Sequence, residues 1–133
     1  MKFIAMHHES SDDGVTEGKV KNIYFALGGV LVLIGVLGFV MPSPLLGLFE
    51  VNTLHNIIHL VSGALTLVAA SQGIGAMRTW GRIFGLVYLA VAIAGFVDPT
   101  LFGLMHVNLP DNLLHIALAV IFLYIGFLAP PTL

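Results

Sequence analysis

Residues 22–41 read NIYFALGGVLVLIGVLGFVM and run into Pro42-Ser43-Pro44. No Asp, Glu, Lys or Arg interrupts these 20 residues, and a bilayer-crossing helix needs roughly that many apolar positions. In Val30-Leu31-Val32-Leu33 the apolar side chains follow one another, without the alternation of a barrel strand. In hydrocarbon the backbone must bond to itself, and a continuous apolar run does so as a helix. Proline then stops it. The same reading applies to residues 53–70, to 80–97 before Asp98-Pro99, and to 110–129 before Pro130-Pro131. The fold class is therefore all-α membrane, with four transmembrane helices.

Composition agrees. Of 133 residues, 58% are hydrophobic and 9% charged, and the mean hydropathy is +1.01. Soluble domains average about 45–50% apolar and about 25% charged. The net charge of -2 with only five Lys+Arg gives no footprint for nucleic acid, which calls for clustered cations. There is no cysteine, so disulfides, thiolate metal sites, iron–sulfur clusters and cysteine nucleophiles are ruled out. Residues 1–21 are the polar stretch and read as a disordered cytoplasmic tail. After Lys2, the apolar run Phe3–Met6 is too short for a signal-peptide core. His7-His8 in this tail are expected to bind nothing. Residues 22–133 form the four-span domain.

The domain repeats itself. Gly47-Leu48-Phe49-Glu50-Val51-Asn52 returns as Gly103-Leu104-Met105-His106-Val107-Asn108, an offset of 56. Asn56 and His59 match Asn112 and His115 at the same offset, and Gly29 matches Gly85. Nearer the end of the first helix the offset is 57, pairing Pro42 with Pro99. The chain thus reads as two tandem two-helix repeats, residues 22–71 and 80–129. A two-helix unit starts and ends on one side. Its copies therefore point the same way, around a pseudo-two-fold along the membrane normal. Lys2, Lys19, Lys21, Arg78 and Arg82 all fall on one face, which the positive-inside rule makes cytoplasmic. Both termini are then inside, and Glu50, Asp98, His106 and Asp111 lie at the outer face. Trp80 is expected as an interfacial anchor. The glycines of spans one and three, including Gly81-x-x-x-Gly85, are expected to let helices approach within one chain.

One polar constellation stands out. Asn52, Asn56 and His59, like Asn108, Asn112 and His115, share a helix face. Asn52 and Asn108 suit the N-cap position, which puts His55 and Asp111 at the third helical position. Seven residues beyond the cap, at ~1.5 Å each, set His59 and His115 roughly 10 Å down their helices. A polar group at that depth needs a partner, so both imidazoles should face the interior, with Asn56 and Asn112 nearby. Three uses are open. The cluster Asn52, Asn56, His59, Asn108, Asp111, Asn112 and His115 could be a structural hydrogen-bond clamp. His59 and His115 could hold haem, or His55 and His59, one turn apart, a divalent metal. Buried titratable groups could also serve an oligomeric ion or proton transporter, or a pH sensor.

Val51–Leu60 followed by Gly63, together with Val107-Asn108, Asp111-Asn112 and Leu114-His115, and Gly85 with Tyr88-Leu89, resembles the signature of a bacterial four-helix membrane family. It is known as a domain of unknown function, four-three-eight-three. The likeness spans residues 22–128; the loop after span one is shorter than the family's and the polar tail lies outside it. The resemblance implies a four-span bacterial inner-membrane protein and no established activity. The sequence has no nucleotide loop, no H-E-x-x-H and no nucleophile–base arrangement, and Ser62 and Thr66 are expected to bond their own helix backbone. The expectation is a non-enzymatic structural or accessory membrane protein that needs no cofactor. Haem or metal binding, and transport or pH sensing, are the alternatives. Its partners are the lipid bilayer and either a larger membrane complex or further copies of itself.

Overall fold

The computed structural model describes residues 16–130. His7, His8 and most of the predicted tail lie outside them. The described residues form four long helices: α1 (Glu17–Val40), α2 (Thr53–Gln72), α3 (Ile74–Val97) and α4 (Leu109–Leu123), the last continuing as a π-helical turn over Tyr124–Leu128. Each is long and apolar enough to cross a membrane. α1 packs chiefly on α2, and α3 on α4, with α2 and α3 also in contact.

Two helix starts differ from the sequence reading. α1 begins at Glu17 because the Thr16 side chain accepts from the Lys19 amide as an N-cap. Residues 17–21 are thus helix rather than tail. α3 begins at Ile74, six residues before the predicted start at Trp80. Gly73, at φ +104, makes the whole connection from α2, since a left-handed glycine reverses the chain in one residue. Gly73 has no side chain to cap α3; the Glu17 carboxylate supplies that bond by accepting from the Ile74 amide at 3.2 Å. Arg78, outside the predicted span, is consequently on α3 together with Arg82. Their Nε atoms donate to the carbonyls of Ala129 and Gly126 at 2.8 and 2.7 Å. They satisfy backbone oxygens that the end of α4 leaves free, where cations also complement the helix dipole.

Small residues set the helix spacing. A Cβ on Gly28 would lie 2.9 Å from the Gly63 carbonyl oxygen, and one on Gly81 2.5 Å from that of Phe122. Gly85 lies against Leu123 and Gly28 against Leu67, whereas Gly29 has nothing within 4 Å. The packing counterpart of Gly85 is therefore Gly28, not the Gly29 indicated by the sequence offset. Phe25, Val30, Leu33, Phe39, Ile83 and Leu86 point outward, where lipid would meet them. Trp80 is half-buried rather than a free interfacial anchor. Its Nε1 donates to Thr66 Oγ1 at 2.8 Å, and its ring packs on Phe84 at 3.9 Å between centroids. At the same end of α3, the Tyr24 hydroxyl donates to the Met77 carbonyl at 2.6 Å.

The loops after α1 and α3 have matching geometry. Leu45 and Leu101 are buried, and Leu46-Gly47 and Phe102-Gly103 take left-handed conformations. In the second loop the Thr100 hydroxyl, then its amide and that of Phe102, donate to Asp98 and hold its carboxyl below the ordinary carboxylate range.

Candidate metal centre

The two loops deliver α2 and α4 side by side with their starts locked together. Asn52 and Asn108 are N-caps whose side chains accept from the His55 and Asp111 amides at 2.8 and 2.9 Å. Each amide group also reaches the other hairpin: Asn52 Nδ2 donates to the Leu104 carbonyl at 3.4 Å, and Asn108 Nδ2 to the Leu48 carbonyl at 2.7 Å. Asp111 completes a capping box by accepting from the Asn108 amide, and accepts from the Glu50 amide as well. Changing Asn108 to Ala should cost about 1–2 kcal/mol, the value of a good cap. Asn108→Ser should recover most of it except the cross-hairpin bond. Reversible unfolding in mixed micelles would order the three proteins; equal stability of wild type and Asn108→Ala would refute this role.

Deeper in, the polar residues part company. Asn56 is set against Gly38 on α1, and Asn112 against Gly95 on α3. They lie on the helix-pair seams rather than beside the imidazoles, and the Oδ1 atom of each is buried without a partner. The histidines instead converge. His55, His59 and His115 are each 2% exposed. Their ring centroids are 4.3 Å apart for His55–His59, 5.7 Å for His55–His115 and 6.3 Å for His59–His115. One ligating nitrogen from each lies within 4.8 Å of the others.

The hydrogen bonds of these rings leave ring nitrogens unused. His55 Nδ1 donates to the Glu50 carbonyl at 3.0 Å. A carbonyl only accepts, so the proton is on Nδ1 and the Nε2 lone pair is free, the arrangement that orients metal-bound histidines. His55 Nε2, both nitrogens of His59 and Nδ1 of His115 are buried with no partner among the described residues. Buried polar groups are ordinarily satisfied, and an orphan commonly marks an ion or water site. The cross-hairpin bonds thus run through Asn52, Asn108 and Asp111, and among the described residues none involves His59 or His115. Nor do the rings favour haem. Two axial imidazoles need a flat slot between them, and here the third ring crowds both.

Tyr88, noted in the sequence only as part of the family signature, also borders the cluster. Its hydroxyl is 3.0 Å from Ser62 Oγ, and its ring is 5.6 Å from that of His115. Ser62 and Thr66 bond their own helix, to the Ile58 and Ser62 carbonyls at 2.7 Å each. The residue three helical turns after Arg78 on α3 could have been found from the hydroxyl it shares with Ser62, but only once the helices were paired.

A family model described as Domain of unknown function (DUF4383) matches residues 21–128. The chain belongs to this family. No curated protein and no solved structure matches it significantly. The DUF4383 region takes in α1 from residue 21 onward, α2, α3 and α4, and with them His55, His59 and His115, so the candidate centre lies wholly within the family's domain.

Proposed function

We propose that this small multi-pass membrane protein binds one divalent transition-metal ion through His55, His59 and His115. The observation that carries the reading is the convergence of three buried imidazoles, each with a buried ring nitrogen that has no partner among the described residues. Imidazole suits zinc, copper, iron and nickel. Such ions hold nitrogen ligands at about 2.0–2.1 Å, placing ligand nitrogens about 3.4 Å apart in a tetrahedral site. From separations within 4.8 Å, modest ring rotations reach that geometry. We read the role as that of a binding or accessory protein; the Ser62 hydroxyl is engaged with the Ile58 carbonyl and Tyr88. Metal-free protein titrated with Co(II) should take up one equivalent per chain and develop the absorption of a nitrogen-ligated site; no uptake at micromolar Co(II) would refute it.

The chain is further read as a bacterial inner-membrane protein of two tandem hairpins with both termini cytoplasmic. The reciprocal bonds of Asn52 and Asn108 and the matched loops support the duplication. The placement of Lys19, Lys21, Arg78 and Arg82 toward one end supports the orientation. Because the native chain lacks cysteine, single substitutions report topology cleanly. In intact cells an impermeant maleimide should label His106→Cys, exposed in the outer loop, but label Ser71→Cys only after permeabilisation. The reverse pattern would invert the orientation.

A further inference from the structure

A cavity of about 360 Å³ adjoins the three imidazoles. That is within the range of small-molecule pockets, roughly 300–1,000 Å³. His55, His59, His115 and Tyr88 line it together, and its remaining walls are aliphatic and aromatic side chains with the Met105 thioether, from α2, α3 and the loop after α3. No Asp, Glu, Lys or Arg lines it. Val87, Phe102 and Leu104, which contribute to the wall, are also exposed on the outer surface of the bundle. The cavity's outer rim is therefore apolar, on a surface that would face lipid.

We propose that this cavity admits a small, uncharged, lipid-soluble Lewis base from the bilayer, whose donor atom completes the coordination of the bound ion. The inference rests on the metal reading above and specifies the ligand class of that site. Three protein ligands leave one tetrahedral position open, as in sites that bind water or substrate. All three rings line the same cavity, so the open position falls within it. An anion would have to shed its hydration to pass walls with no charged group, which is costly. A neutral molecule with an apolar body loses nothing there and buries that body against Phe84, Val91 and Met105. A purely structural centre would instead fill its fourth position from the protein, and no fourth His, Asp or Glu joins the cluster among the described residues.

The test uses the full chain in lipid nanodiscs, loaded with Co(II), at pH 8. The probes are 4-propylpyridine, neutral and lipophilic, and sodium azide, anionic and water-soluble. The Co(II) visible bands should shift saturably with 4-propylpyridine and respond to azide at least 10-fold more weakly. Ala90 is exposed and lines the cavity, so Ala90→Trp should fold, retain Co(II) and bind 4-propylpyridine at least 10-fold more weakly; Ala94→Leu, deeper in, should act in the same direction. Loaded protein whose bands ignore 4-propylpyridine, favour azide, or respond equally in Ala90→Trp overturns this inference alone. Wild-type protein that takes up no Co(II) overturns the metal reading and this inference with it.

Discussion

Replacing His59 with leucine is expected to weaken metal binding by at least about 100-fold while leaving the metal-free bundle as stable as wild type, or more so. Even outer-shell partners of metal ligands are worth 10–100-fold in affinity, so loss of a direct ligand should reach or exceed the upper figure. The stability half follows from His59 having both ring nitrogens buried and unpartnered. Each such group costs about 1–3 kcal/mol in the metal-free state, and leucine fills similar space with nothing to satisfy. His55→Leu should also lose the metal but forfeit the bond from Nδ1 to the Glu50 carbonyl, so it should be the less stable of the two. Co(II) titration paired with unfolding in mixed micelles measures both. If His59 were a structural clamp, His59→Leu would unfold more easily and metal uptake would be unchanged.

The second large effect is expected from Gly81→Ala. The added methyl would meet the Phe122 carbonyl oxygen at 2.5 Å and the Gly126 nitrogen at 3.0 Å. These are backbone atoms and cannot swing aside as a side chain could. α3 and α4 must therefore separate, which strains the Arg82 bond to the Gly126 carbonyl on the same seam. Overpacking of this kind costs about 1–3 kcal/mol, and the upper part of that range is expected here. Gly29→Ala is the internal control, with open space around the new methyl, and should be neutral or slightly stabilising because alanine favours helix. Equal stability of Gly81→Ala and Gly29→Ala would show that helix contact at Gly81 does not set the α3–α4 distance.

The four helices were legible because bilayer physics leaves a continuous apolar run only one way to satisfy its backbone. Their starts were less so. The sequence reading began the third helix at Trp80, which left Arg78 outside it. The structure instead uses the arginines to cap carbonyls of α4, a partner invisible until α3 and α4 are paired. The register of Gly28 was missed by one residue, because the change of offset lies between Pro42 and Leu45 and acts on the whole of α1. At the site, His59 and His115 announced themselves by repeating. His55 was legible only through its one-turn spacing from His59, because its counterpart Asp111 serves as a helix cap; that all three rings converge was not. The third ligand is thus the residue at which the two halves differ, which pattern matching discounts. Tyr88 carries no local signal; it joins the site through the packing of α3 on α2 and α4.

X-ray absorption at the cobalt edge on the stoichiometrically loaded chain tests the metal centre most directly. The expected spectrum contains three imidazole nitrogens at about 2.0–2.1 Å, with the outer-shell scattering of the rings, and loses one of them in His59→Leu. A spectrum with only oxygen neighbours and no imidazole outer shell, unchanged by His59→Leu, would contradict the account.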